Sequence, residues 1–252
     1  MTSCLVPVFS SSGVEIFSSS EDDCIQDDRT LLVLGGRAPD PDWTRDLVFR
    51  NSPVVWAADS GVGVCRALGI VPSLLIGDKD SALPDDWCWA LSRGSEERVY
   101  DRDKDRTDFQ LALSLFEDRA NSEAAEIAPL LIVSGCFGGA LDHLMSVFFT
   151  LASSGGNFSR CMIDEREGAF FIASGESATL KFERPPESIS LLPITDECFG
   201  VGISGVKWPL DGIKLERRYP WAVSNEIIKD PCVIPDVTAR CGEGILALYW
   251  RW

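Results

Sequence analysis

Four stretches decide the fold: TLLVLGG (30–36), PVVWAADSG (53–61), SLLIGDKDS (73–81) and PLLIVSGCFGG (129–139). Each carries a short, uninterrupted apolar run and ends in Gly, Asp or Ser. A strand apolar on both faces must be covered on both faces, which is the habit of a parallel sheet flanked by helices. Helical patterns lie between the runs. Residues 62–68 form one, TDFQLALSLFEDRA (107–120) a second and ALDHLMSVFFTLA (140–152) a third. Thr107 and Gln110 have the spacing of a capping box that opens the second helix. In the third, Leu141, Leu144, Met145, Phe148, Leu151 and Ala152 recur at i, i+3/i+4 spacing. The alternation predicts a doubly wound, mainly parallel α/β domain over residues 30–155.

Outward from this block the texture changes. Residues 1–29 are Ser- and Asp-rich and read as a loose extension or an edge element. After SSGGN (153–157), the segments ATLKFERP (178–185), SISLLPIT (188–195), GVGISGVKWPL (200–210) and GILALYWRW (244–252) alternate with Gly, Pro, Asp and Asn. They predict an all-β domain of sandwich type over residues 156–252.

The whole chain has 252 residues, 45% hydrophobic and 25% charged, enough for a core without disulfide staples. Twenty-three basic residues against thirty-nine acidic ones give a net charge of −16. Such a surface repels a phosphate backbone, so nucleic acid is excluded as a partner. The nine cysteines are scattered and form no CxxC pair, so they read as reduced thiols of a cytoplasmic protein. The N-terminal MTSCLVPVFSSSG has neither a basic stretch nor a long apolar one, and the apolar-rich stretch 144–152 is too short to span a membrane.

In an open α/β sheet, ligands gather at the carboxyl ends of the strands. Here those ends are acidic. SLLIG runs into Asp78-Lys79-Asp80-Ser81, where two carboxylates at i and i+2 face the same way. Asp101-Arg102-Asp103-Lys104-Asp105-Arg106-Thr107-Asp108 follows, with Asp108 in the first turn of a capped helix, near its positive end. A third loop, 138–143, brings Asp142 into the first turn of another helix. Carboxylates from three loops suit a hard cation, and magnesium favours one or two carboxylates plus substrate phosphates. Lys104 and Arg106 are placed to hold phosphate oxygens. Glycines at 35–36, 135 and 138–139 would let a phosphate chain approach the backbone. Each loop alone reads as an ordinary turn; their succession on strand ends does not.

Other chemistries fail on the residues. There is no GxxxxGK[ST] loop, no GxGxxG after the first strand and no GxSxG elbow. His143 is the only histidine, so one chain cannot build a histidine zinc centre; it reads as a structural imidazole at a helix start. Cys136 has no evident base partner.

Taken in order, ADSG (58–61), GIVPSLLIGDKDS (69–81), DKDRTDFQLAL (103–113), GCFGGALDH (135–143), SISLLPIT (188–195), SGVKWPL (204–210) and VSNE (223–226) resemble the thiamine pyrophosphokinase family from about residue 31 to the end. The resemblance implies an α/β domain followed by a β-sandwich domain, and a homodimer with active sites at the interface. It implies magnesium-dependent transfer of the terminal diphosphate of ATP to the hydroxyethyl group of thiamine, with release of AMP. By position, Asp78, Asp80 and Asp108 would hold magnesium and the ATP phosphates and carry catalysis. Asp59, Ser81, Lys104, Asp105, Thr107 and Asp142 would line the nucleotide and substrate pocket. Trp208, Ser224 and Asn225 of the partner subunit would contact thiamine, whose cationic thiazolium suits a tryptophan face.

Four positions depart from the family's pattern. Lys79 stands between the two aspartates where an apolar or aromatic residue is usual, Ala140 replaces an arginine, Val147 aligns with an asparagine, and ADSG replaces ADGG. Two other readings remain open on the sequence: a pyrophosphokinase of the same fold with another acceptor alcohol, such as a pterin, and a weakly catalytic thiamine- or nucleotide-binding protein.

Overall fold

A computed structural model describes residues 5–19, 28–103, 105–121, 129–155, 158–228 and 233–252. The chain divides into two compact units, Asp27–Asp164 and Met1–Gln26 with Glu165–Trp252. Two strands, β1 (Leu5–Ser11) and β2 (Val14–Ser19), come first and belong to the second of these units.

The unit Asp27–Asp164 alternates strand and helix: β3 (Arg29–Val33), α1 (Pro41–Asn51), β4 (Val54–Ala58), α2 (Gly61–Leu68), β5 (Leu74–Gly77), α3 (Pro84–Leu91), β6 (Glu96–Val99), α4 (Asp108–Ala120), β7 (Leu130–Ser134), α5 (Leu141–Ser153) and β8 (Ser159–Ile163). The strands lie side by side as β8-β7-β3-β4-β5-β6, and every pair is parallel. Leu31 sits between Val55 and Ile132, all three buried. The central strands are apolar because they are covered on both faces; all five residues of β7 are buried. The mainly parallel α/β sheet expected from the apolar runs is therefore present, and it continues through β8, beyond the SSGGN stretch where the sequence pattern changes.

Chain order fixes where a ligand can sit. From β3 the chain steps to β4, β5 and β6 on one side, then returns across β3 to place β7 and β8 on the other. The switch point lies between β3 and β7, and loops leaving the two strands in opposite directions open a crevice there. The capping box forms as the sequence predicts: Gln110 N donates to Thr107 Oγ1 at 3.2 Å and Thr107 N donates to Gln110 Oε1 at 3.0 Å. Helix α5 differs from its sequence reading in one respect. Its buried residues are Val147, Leu151 and Ala152, whereas Leu141 and Met145 from the apolar stripe stand at the surface.

The other unit is all β. Besides β1 and β2 it contains β9 (Glu167–Ile172), β10 (Ser177–Phe182), β11 (Ser188–Pro193), β12 (Glu197–Ser204), β13 (Leu210–Glu216), β14 (Val237–Arg240) and β15 (Leu246–Arg251). One antiparallel sheet runs β1-β2-β10-β14-β12-β13, and β11, β15 and β9 pair antiparallel as a second group. Their shared core includes an edge-to-face aromatic cluster: Phe182, Trp250 and Trp252 have ring centroids 6.2–6.3 Å apart. Gly168 is required opposite Trp250, since a Cβ there would lie 2.3 Å from the indole. This is the β-sandwich-like partner that the sequence predicts. No helix of the described residues is long and apolar enough to cross a membrane.

Candidate active site

The loops after β3 and β7 are zipped together at the switch point. Leu34 N donates to Ser134 O at 2.8 Å, Gly36 N to Gly135 O at 2.7 Å and Arg37 N to Phe137 O at 2.7 Å. Such close backbones leave no room for side chains. A Cβ on Gly36 would lie 2.6 Å from Gly135 O, and one on Gly135, whose φ is +70°, would lie 2.2 Å from Leu34 O. Beside this glycine wall opens a cleft of about 380 Å³, lined also by residues from the end of β4, by Ser81 in the loop after β5, and by residues at the starts of α4 and α5.

One end of the cleft is acidic. Asp59 follows β4 in the left-handed region, φ 48°, and its amide extends the ladder by donating to Ile76 O at 2.8 Å. Lys79 is also left-handed, φ 68°, and Asp80 N donates to Asp78 Oδ1 at 3.0 Å. This tight turn returns Asp80 to the side of Asp78. Carboxylate oxygens of Asp59, Asp78 and Asp80 then all lie within 4.8 Å of one another. Asp108 approaches the same point from α4; a Cβ on Gly77 would touch both Asp59 and Asp108, at 3.3 and 3.4 Å. Burial, and then repulsion from Asp108, Asp80 and Asp78, push the Asp59 carboxyl up to about 6. Its Oδ2 accepts a hydrogen bond from Ser81 Oγ, while the buried Oδ1 has no hydrogen-bond partner among the described residues. Converging carboxylates, one of them carrying an orphaned buried oxygen, fit a hard divalent cation.

Asp59, Ser81, Thr107 and Asp108 line the cleft, and Asp78 and Asp80 join Asp59 at its acidic end. The sequence reading set Asp59 in the pocket lining and Asp78, Asp80 and Asp108 in the metal set; in the structure Asp59 also comes within reach of Asp78 and Asp80, with Asp108 beside it. Asp105 is exposed in the loop before α4, and Asp142 accepts the backbone amide of His143 at 2.9 Å; neither is among the described lining residues. Lys104 lies outside the described residues. His143, read from the sequence as a packed or hydrogen-bonding structural imidazole at a helix start, is exposed and lines the cleft. Lys79 turns away from the aspartates, pairing with Glu97 at 2.9 Å and lying 5.2 Å from the Trp87 ring. Ala140 and Val147, two of the family departures, both line the cleft.

The β unit holds a second hollow, of about 290 Å³. Trp208 and Trp221, both more than half exposed, flank it, with Ile189, Leu191 and Ile203 also in its lining. Asn225 builds its rim: the amide side chain accepts from Trp208 N at 3.2 Å and donates to Trp208 O at 2.8 Å. Ser224, left-handed at φ 57°, is tied to β11 by its amide, which donates to Ser190 Oγ at 3.0 Å. Lys207 Nζ lies 4.4 Å from the Trp208 ring, so one face of that indole already receives a cation in this structure. Trp221 was missed in the sequence. Its only signal there is its place two residues before VSNE.

The chain thus combines a doubly wound α/β domain, whose cleft has a glycine-lined wall and an acidic end, with a β domain that carries an aromatic hollow. The thiamin pyrophosphokinase catalytic domain matches residues 46–163, and the vitamin B1 binding domain of the same family matches residues 177–239. The thiamine pyrophosphokinase of Bacillus subtilis is 25% identical over 205 residues, covering 79% of this chain and 90% of that one. Its crystal structure matches with a TM-score of 0.72 at 20% identity, over 89% of this chain and 99% of the other. The enzyme from Candida albicans matches with a TM-score of 0.70 at 16% identity, over 89% and 90%. The chain belongs to the thiamin pyrophosphokinase family and is an enzyme of that family.

Proposed function

We propose that the protein transfers the terminal diphosphate of ATP to the hydroxyethyl group of thiamine in a magnesium-dependent reaction, giving thiamine diphosphate and AMP. The observation that carries this reading is the acidic end of the cleft. Asp59, Asp78 and Asp80 converge beside a wall of glycine loops, with an orphaned carboxylate oxygen, in a chain that also presents a two-tryptophan hollow.

Asp59, Asp78 and Asp80 would hold the cation, with Asp108 alongside at the start of α4. Bound magnesium would neutralise phosphate charge, the main requirement of a transfer that needs positioning more than covalent help. The residues of the chain supply the positioning. Gly35, Gly36, Gly135 and Gly139 line the cleft, and the first three have neighbours so close that no side chain fits. A polyphosphate can therefore lie against their backbone. Ser81 orients Asp59 through its hydroxyl, and Thr107 fixes the start of α4 that carries Asp108. In the β unit, Trp208 and Trp221 offer flat apolar faces for the pyrimidine and thiazolium rings, and Asn225 holds the Trp208 backbone in place.

We read the working form as a homodimer and its setting as the cytoplasm. Support for the setting comes from the sequence, whose nine scattered cysteines form no CxxC pair. The test is an end-point reaction with ATP, magnesium and a panel of alcohols, including thiamine and a hydroxymethyl pterin. Equal amounts of AMP and thiamine diphosphate, lost on adding EDTA, support the proposal. AMP formed with another alcohol alone would replace thiamine as the acceptor. Ligand-induced stabilisation without AMP would make this a binding protein.

A further inference from the structure

We propose that Arg37 is a positioning residue that laces the ends of three neighbouring strands, β3, β7 and β8, and so sets the glycine wall against which the nucleotide phosphates lie. The role of that wall rests on the function proposed above; the lacing rests on geometry alone. Arg37 lies outside the stretches matched by the family's two domains.

Its backbone amide donates to Phe137 O at 2.7 Å, tying the loop after β3 to the loop after β7. Its side chain then crosses that second loop. The guanidinium lies 5.9 Å from the Phe137 ring centroid and reaches Asp164, which follows β8. Nε and Nη2 donate to Asp164 Oδ2 at 3.1 and 2.5 Å. The Asp164 carboxylate is fully buried and the Arg37 side chain is only 22% exposed. A pair this deep contributes little net stability over an apolar substitute, but losing one partner strands a buried charge. Its value is therefore geometric. The intervening loop is shaped to receive the arginine: a Cβ on Gly138, at φ +68°, would lie 2.8 Å from Arg37 Cβ and 3.3 Å from Cδ. Cys136 and Gly139, on either side of the crossing, line the cleft. Held from both edges, this loop cannot drift from the phosphates; released, it can.

The test compares wild type with Arg37→Gln and with Arg37→Gln/Asp164→Asn. The single variant takes the guanidinium away from the buried Asp164 carboxylate and is at risk of not folding. The double variant replaces the ion pair with two neutral amides and keeps the site testable. Two measurements are made: KM values for ATP and thiamine, and amide hydrogen exchange without ligands. The double variant is expected to raise the ATP KM about tenfold and leave the thiamine KM within about twofold. The amides of residues 136–139 should exchange about tenfold faster, while those of β12 and β14 stay unchanged. A folded double variant with wild-type ATP KM overturns the proposal, as does an equal rise in both KM values. If the wild type forms no AMP with thiamine, the substrate reading fails instead. The lacing is then decided by exchange alone, and unchanged protection at 136–139 overturns it.

Discussion

Replacing Asp59 with asparagine should stabilise the metal-free protein and abolish its response to magnesium. The Asp59 carboxyl stands at about 6 against an ordinary 3.8 because burial and three neighbouring aspartates oppose its charge. At about 1.4 kcal/mol per unit, that difference would amount to roughly 3 kcal/mol in a site closed to water. Asp59 is only half-buried, and solvent screening reduces the figure to about 1 kcal/mol. The sign follows from linkage: a folded-state value above the unfolded one means the native state binds the proton more tightly. Below about pH 4 Asp59 is protonated in both states and costs nothing. Between about 4 and 6 the cost grows, and above 6 it is fully present. Asp59→Asn removes a charge that is never welcome without a cation. Thermal unfolding in EDTA at pH 8 should show the variant melting about 2–4 °C above wild type, with the gap closing below pH 4. Saturating magnesium reverses the order. At about a hundredfold excess over Kd the wild type gains roughly 2.7 kcal/mol and the variant nothing comparable. A variant less stable than wild type in EDTA at pH 8 would refute the repulsion argument. Equal magnesium shifts in both would remove Asp59 from the cation site.

Three further outcomes follow from the geometry. Asp78→Asn and Asp80→Asn should each lower magnesium-dependent turnover by at least about a hundredfold while circular dichroism stays native; near-normal rates in both would move the cation elsewhere. Trp208→Ala should raise the thiamine KM about tenfold and leave the ATP KM unchanged, since an aromatic face toward a cation contributes about 1–2 kcal/mol; equal effects on both KM values would make Trp208 a framework residue. Gly135→Ala brings a Cβ to 2.2 Å from Leu34 O at a φ of +70°, so it should open the zipper between the β3 and β7 loops. ATP affinity measured by calorimetry should fall at least tenfold, and unchanged affinity would show that phosphates do not use this wall.

The legible parts of the fold were those whose local chemistry dictates them. Runs such as LLVL (31–34) and LLIV (130–133) are apolar because both faces of their strands are covered, and that pattern is readable without a structure. Thr107 and Gln110 announce a helix start because a capping box is closed within four residues. Strand β6, EERV, gave no such signal: all four residues are exposed at the sheet edge, so neither run nor alternation exists to read. The pairing of β2 with β10 joins Ser18 to Ala178, a contact that no local pattern encodes. The acidic site was legible as aspartates on strand ends. Asp78 and Asp80 were legible as a pair; that Asp59 comes within reach of both was not. Asp59 joins Asp78 and Asp80 because β4 and β5 are adjacent and both connecting turns pass through left-handed backbone at Asp59 and Lys79. In α5, the apolar stripe shows that a helix forms but not how much of that stripe the rest of the unit covers.

The most direct test follows the phosphorus itself. ATP labelled at the γ-phosphorus is incubated with the protein, magnesium and thiamine, and the products are separated by charge. Label in the terminal phosphate of thiamine diphosphate, with an equal amount of unlabelled AMP, is the predicted result. Label in thiamine monophosphate together with ADP would show transfer of a single phosphoryl group and contradict the account.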